Sequence, residues 1–205
     1  MQRGLFETAD VPSGFEYRPD FLTLEDERGI LGLLTRIEFS KVEMRGAVAR
    51  RRTAHYGWTY GYDARRSEPG EPIPDFLLPV RDRVAEWAGV RAEEFAEALI
   101  TDYPEGAPIG WHRDAPMFGD VAGISLGAAC RMKFRPYVSP AKLQAGVTRR
   151  TTHEIELAPR SAYLIRGIAR REYEHSIPPV TGRRYSITFR TLAAGTPGRR
   201  SFRRR

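Results

Sequence analysis

From Phe95 to Leu192 the chain breaks into eight short extended candidates: "FAEALITDY", "APIGWHRD", "GISLG", "CRMKFRPY", "THEIELAP", "SAYLIRG", "EYEHSI" and "RRYSITFRTL". Turn formers separate them, and no helix-length amphipathic stretch lies between them. Parallel strands joined as βαβ units need a crossover helix each, so this spacing favours antiparallel sheets packed as a sandwich or jelly roll. The helical signals all come earlier. In "FLTLEDERGILGLLTRI" apolar residues recur at helical spacing behind Thr23, predicting a capped helix over 24–36. "IPDFLLPVRDRVAEWAGV" predicts a second helix over 74–88, ended by Gly89. The stretch between them has no clean period and is dense in aromatic residues and arginine. With 205 residues, no internal repeat and no linker composition, one domain is expected.

The single cysteine, Cys130, excludes an internal disulfide and a cysteine-based zinc site, so any metal must be held by nitrogen and oxygen. The longest apolar runs fall far short of a membrane span, and the N-terminus lacks a secretory pattern; a cytoplasmic location with no membrane partner is expected. The net charge is +7, and all but three of the 33 basic residues are arginine. Arginine suits phosphate and carboxylate, so a polyanionic partner is permitted, although arginine-favouring codon usage gives the same excess.

Chemistry enters at "WHRDAPMFGD". In an extended chain His112 and Asp114 point to one side, which makes them either two-thirds of a metal site or a surface histidine beside an aspartate. His175, in "YEHSIPP", supplies a third candidate; two histidines and one carboxylate form the face typical of non-haem iron, with positions left open for a cosubstrate and oxygen. In "RYSITFR", Arg184, Ser186, Thr188 and Arg190 share one face and Tyr185, Ile187 and Phe189 the other. The polar face either meets water or, inside a closed double sheet, needs a small anion to pair with its arginines.

Taken together, "TDYPEGAPIGWHRD", "ISLG", "SAYLIRGIARREYEHSI" and "RRYSITFR" closely resemble the AlkB-like branch of iron and 2-oxoglutarate dependent dioxygenases. The resemblance implies a mainly β fold with N-terminal helices, a double-stranded β-helix (jelly roll). It divides the chain into N-terminal helices with a nucleotide-recognition segment over 1–94, a dioxygenase core over 95–192 and a basic tail over 193–205, the first two forming one domain. By the same resemblance His112, Asp114 and His175 bind Fe(II), and Arg184 pairs with the distal carboxylate of 2-oxoglutarate, helped by Tyr103. Arg190 sits nearer the end that chelates iron, and Ser186 and Thr188 complete the polar lining. Molecular oxygen is the other cosubstrate; 2-oxoglutarate is decarboxylated to succinate, and a methyl carbon next to nitrogen is hydroxylated and lost as formaldehyde. No residue beyond the metal ligands need act as a base.

Two departures from the better-known repair members stand out. Thr101 replaces an asparagine two residues before Tyr103, and Ala115 and Pro116 stand where some bacterial enzymes carry an acidic residue near the lesion base. Gly167, Arg170 and Tyr173 look more like the part of the family shared with eukaryotic homologues, whose substrates include DNA, RNA and sometimes protein.

"ARRRTAHYGWTYGYDARR" interleaves aromatic residues with arginines, a combination that stacks an extruded base and holds its flanking phosphates, or else anchors a cover segment on the barrel. Tyr56 and Trp58, flanking Gly57 in a tight "YGW" turn, are the first candidates for stacking, with Tyr60, Arg51 and Arg52 beside them. The expected function is demethylation of N-alkylated bases of the 1-methyladenine or 3-methylcytosine type. The expected partner is nucleic acid, DNA in single-stranded or base-flipped form, with RNA as the alternative; the protein is expected to be a monomer. A protein or small-molecule hydroxylase or demethylase would share this core, and a non-catalytic nucleic-acid-binding protein is the third class.

Overall fold

The computed structural model describes residues 11–44, 47–61, 66–148 and 151–196. Along the chain run β1 (Phe15–Arg18), α1 (Leu24–Leu34), β2 (Ser40–Met44), β3 (Ala47–Gly61), β4 (Arg66–Pro69), α2 (Leu78–Ala88), β5 (Phe95–Tyr103) and β6 (Ile109–His112). They are followed by β7 (Phe118–Gly127), β8 (Cys130–Pro136), α3 (Pro140–Gln144), β9 (His153–Leu157), β10 (Ala162–Ile165), α4 (Gly167–Glu172), β11 (Tyr173–Ile177) and β12 (Arg184–Leu192). The strands form two antiparallel sheets. The major one has eight strands in the order β1-β10-β7-β12-β5-β3-β2, with β4 beside β3; the minor one has the order β6-β11-β8-β9. This is the jelly-roll arrangement, and all eight extended candidates are strands in it.

Both early helices form for the local reasons their sequences carry. Thr23 accepts from the Asp26 amide while the Asp26 side chain accepts from the Thr23 amide, so α1 starts on a capping box. Gly89, left-handed at φ 67°, ends α2. Ile30 and Leu34 of α1 and Val80, Val84, Ala85 and Ala88 of α2 pack on one face of the major sheet, against Ala54, Ala98, Ile100, Ile124, Ile187 and Phe189. Complete burial of a side chain the size of isoleucine or leucine stabilises the fold by about 1.5–3 kcal/mol, so this layer holds the helices to the sheet.

The expectation that helices end before residue 95 is overturned by α3 and α4. Each has only five or six residues, too short to show a period and too short to stand without tertiary contacts. Nor is the N-terminal part only helical. β1 adds an edge next to β10, and β2, β3 and β4 extend the major sheet beyond β5. β3 is 15 residues long, and "YGW" lies inside it rather than in a tight turn. Gly57 has φ 79°, and a Cβ there would meet the Ala96 carbonyl oxygen at 2.2 Å, so the strand passes this point only as glycine. Residues 197–205 of the basic tail lie outside the described residues.

A second apolar layer lies between the sheets. Val121, Tyr163 and Ile165 of the major sheet meet Met132, Phe134, Leu157 and Ile177 of the minor one. At one end of this layer the apolar residues give way to the polar face of β12.

Candidate active site

Strand alternation and register together assemble the site. On β12 the residues pointing between the sheets are Arg184, Ser186, Thr188 and Arg190, because Tyr185, Ile187 and Phe189 belong to the helix-side core. Arg184 pairs in register with Tyr103 at the end of β5. On the opposing minor sheet His112 of β6 pairs directly with His175 of β11. Their ring centroids are 4.3 Å apart. Asp114, two residues past β6, comes back to the same point, with Oδ2 3.7 Å from His175 Nε2.

That separation is too long for a hydrogen bond, and each group has a reason to present lone pairs. His112 Nδ1 stands 2.9 Å from the Gly110 carbonyl, which can only accept; Nδ1 therefore carries a proton, and Nε2 is the ring nitrogen left to face a metal. Burial and the neighbouring His112 push His175 down to about 3, so its imidazole is neutral at ordinary pH. For Asp114, burial opposes the charge, but Arg190 and then the two histidines outweigh it and hold the carboxyl well below its usual range. The outcome is a buried, charged carboxylate whose Oδ1 is taken by Arg190 and whose Oδ2 has no partner. Two imidazoles and an orphaned carboxylate oxygen fit a divalent cation with nitrogen and oxygen ligands. Among the described residues no three such groups are closed to metal-holding distances, and Oδ1 stays committed to Arg190.

The two arginines of β12 sit at opposite ends of the polar face. Arg184 is the largest fully buried side chain among the described residues. Its Nε donates to Ser125 Oγ at 3.0 Å, while Nη1 and Nη2 find no partner. Tyr103 lies under the guanidinium, 5.1 Å from ring centroid to Cζ. Burial pushes up the hydroxyl of Tyr103, the thiol of Cys130 and the hydroxyl of Tyr163, the last to about 12. None of these neighbours therefore supplies a negative charge, and the four N–H groups on Nη1 and Nη2 are left without a hydrogen-bond acceptor. Arg190, by contrast, spans two carboxylates: Nε and Nη2 reach Asp114 Oδ1 at 3.0 and 2.7 Å, and Nη1 reaches Glu97 Oε2 at 2.8 Å.

The remaining lining residues are more modest. Ser186 is buried and sits beside the Tyr163 hydroxyl. Thr188 donates its hydroxyl to the Leu99 carbonyl at 3.3 Å. Thr101 is buried on the same face, one strand over. The substrate candidates divide. Tyr56 packs into the helix-side core, on the face of the major sheet opposite the histidines. Trp58 packs instead against Ala96, Ala115, Phe118 and Leu192, beside the segment that follows Asp114. Arg51 is close enough to the Tyr103 hydroxyl for its charge to act there. Arg52 lies on the helix side, bonded through Nε and Nη2 to the fully buried Asp102, which Arg183 shares. The side chain of Tyr60 lies outside the described residues.

Several contributors carried no signal in the sequence: Ser125, Tyr163, Glu97 and the framework role of Arg170. Tyr163 needs Gly123 on the next strand, where a Cβ would fall 2.2 Å from the ring. Arg170 bonds the carbonyls of Ala115, Phe118 and Gly119 at 2.8–3.0 Å and so shapes the loop that carries Asp114. A cavity of about 760 Å³ opens on this loop, lined by Asp114, Ala115, Pro116 and Phe118 with Arg113 and Arg171 at its wall.

The family model for the 2OG-Fe(II) oxygenase superfamily matches residues 32–190, covering nearly the whole described fold, both arginines of β12 and all three candidate ligands. The chain belongs to that superfamily. It is an enzyme of the Fe(II)/2-oxoglutarate dioxygenase class. A curated relative, the alkylated DNA repair protein ALKBH8 homolog of Arabidopsis thaliana, is 28% identical over 177 residues; the match covers 78% of this chain and 49% of the relative. The chain thus spans about half the length of that relative. Two solved structures share the fold. OsALKBH1 superposes with a TM-score of 0.67 at 14% identity, over 88% of this chain and 98% of that one. A Pseudomonas putida prolyl-4-hydroxylase superposes with a TM-score of 0.58 at 14% identity, over 89% and 94%. These matches agree with the AlkB-like resemblance and the double-stranded β-helix read from the motifs. No helix among the described residues is long and apolar enough to cross a membrane.

Proposed function

We propose that this enzyme removes methyl groups from N-alkylated bases of nucleic acid, with DNA lesions of the 1-methyladenine and 3-methylcytosine type as its substrates. The observation that carries the chemistry is Arg184, a wholly buried guanidinium with two unpartnered nitrogens, on the same face of β12 as Arg190, which holds a carboxylate with one orphaned oxygen. A buried cation without an anion is costly, and a dicarboxylate supplies what Arg184 lacks. In this reading Arg184 and Tyr103 hold the far carboxylate of 2-oxoglutarate, Ser186 and Thr188 line the space between, and Arg190 stands at the metal end. His112, Asp114 and His175 hold Fe(II), which with 2-oxoglutarate and oxygen supplies the power to hydroxylate an unactivated methyl group.

The protein's own tasks are placement and exclusion. As metal ligands His112 and His175 would add no charge, so the one negative charge facing the dication would be that of Asp114. Ser125 fixes the plane of the Arg184 guanidinium, so the dicarboxylate binds in one direction. The apolar wall of Ala115, Pro116 and Phe118 suits a flat base, and Arg113 and Arg171 at the cavity wall suit phosphate. Trp58 is retained as the stacking candidate because it packs beside that wall; Tyr56, on the other face, is not. The name of the Arabidopsis relative points to alkylated DNA and supports this substrate. A protein or small-molecule substrate is the second reading, favoured by one observation: Arg52 and Arg183 spend their charge on Asp102 and leave fewer cations for a phosphate backbone.

The deciding experiment loads the protein with Fe(II) and measures formaldehyde released from single-stranded DNA carrying 1-methyladenine or 3-methylcytosine. Formaldehyde is expected, and W58A should lower its rate about tenfold or more while sparing slow conversion of 2-oxoglutarate without substrate. Raised salt should weaken substrate binding, as arginines meeting phosphates require. Turnover of 2-oxoglutarate with no attack on methylated DNA or RNA across a panel of lesions overturns the nucleic-acid reading in favour of the second one.

A further inference from the structure

Glu97 is 2% exposed, on the central strand β5, on the face that looks between the sheets. Each of its carboxylate oxygens is engaged. Oε2 accepts from Arg190 Nη1 at 2.8 Å, and Oε1 stands 3.1 Å from Nδ1 of His55, a residue of β3 with a side chain 42% exposed. Arg190 in turn holds Asp114 Oδ1. A continuous chain of polar contacts therefore runs from His55 at the rim to the carboxylate assigned to the metal.

The charges along that chain have a consequence for metal binding. A guanidinium bonded directly to a metal-ligating carboxylate draws electron density from it and repels a dication. Arg190 alone would leave the pair Asp114–Arg190 neutral overall and a poor site for Fe(II). We infer that Glu97 is a positioning residue that balances Arg190, returning one net negative charge to the Asp114 side of the site and orienting Arg190 so that only Oδ2 faces the metal. This inference rests on the metal site proposed above. It goes further in assigning a function to a residue that contacts neither metal nor cosubstrate.

The test is E97Q, which keeps the side-chain volume and an oxygen to accept from Arg190 and removes only the charge. Binding is read by titrating the metal-free protein with Co(II) alone and following its visible absorption. Wild-type protein should bind Co(II), and E97Q should bind it about tenfold more weakly with the same absorption bands, because the ligands are intact and only the local charge differs. The double variant E97Q/R190M restores the net charge of the site and should return to within threefold of wild-type affinity. A drop of less than threefold in E97Q, or a double variant as weak as E97Q, overturns the inference while leaving the metal site standing. If E97Q alone does not fold, R190M and E97Q/R190M are compared instead: they differ in the Glu97 charge, so the double variant should bind Co(II) about tenfold more weakly than R190M, and a difference under threefold overturns the inference. Absence of Co(II) binding in the wild type overturns the metal site and this inference together.

Discussion

Arg184 and Arg190 stand on one strand and one face, both buried, and their surroundings are opposite. Arg190 is enclosed by carboxylates from two other parts of the chain. Arg184 meets one serine hydroxyl, an aromatic ring and uncharged neighbours. A guanidinium cannot shed its proton to ease burial, so each must be compensated in some other way. Where the protein supplies the counter-charge, the arginine is part of the frame that holds Asp114. Where it supplies none, the fold stores an unmet demand for an anion, which the proposed cosubstrate would meet. The contrast separates an arginine whose charge the protein itself balances from one whose charge it leaves open, although strand position and burial make them look alike.

The largest expected effect comes from breaking the paired end. R190M leaves Glu97 and Asp114 buried without their shared cation, and should lower the unfolding free energy of the ligand-free protein by about 3–5 kcal/mol, read from denaturant titration. A loss under about 1 kcal/mol would show that the carboxylates find other partners, and the contrast would collapse.

The unpaired end should respond in the opposite sense. R184M removes a buried charge that has no counter-ion, so the ligand-free protein should be as stable as the wild type or about 1–3 kcal/mol more stable. Saturating 2-oxoglutarate should stabilise the wild type by about 2.7 kcal/mol at a hundredfold excess over Kd and leave R184M unmoved. An undiminished response in R184M would place the cosubstrate elsewhere.

The smallest effect sharpens the comparison. S125A deletes the hydroxyl that accepts from Arg184 Nε. Calorimetric titration should show 2-oxoglutarate binding weakened about 2- to 12-fold, the range of one modest hydrogen bond, with metal affinity unchanged. A loss as large as that of R184M would mean that Ser125 itself contacts the ligand.

Much of this could be read in the linear chain, because the relevant signals are local. Alternation along "RYSITFR" sorts its residues onto two faces whatever the strand packs against, and the two-residue spacing of His112 and Asp114 puts both on one side of an extended segment. The capping residues around α1 and Gly89 after α2 act within a turn or two and were legible for the same reason. All eight strands after residue 94 announce themselves by turn formers. The short helices α3 and α4 escape notice because five or six residues carry no period, and the strands β2 to β4 because their aromatic and arginine content masks alternation.

What only the tertiary structure decided is partnership. Register brings His112 opposite His175, seats Glu97 against Arg190 across 93 positions of sequence, and leaves Arg184 facing no carboxylate among the described residues. It also turns Arg52 to Asp102 and Tyr56 to the helices, one strand position away from the face where Arg51 and His55 lie. A shift of one residue in pairing would exchange every one of these neighbours while leaving the sequence pattern untouched. The alternation of side chains belongs to the strand, and the sequence alone determined it; the charge that each side chain meets belongs to the strand beside it, and only the assembled sheets determine that.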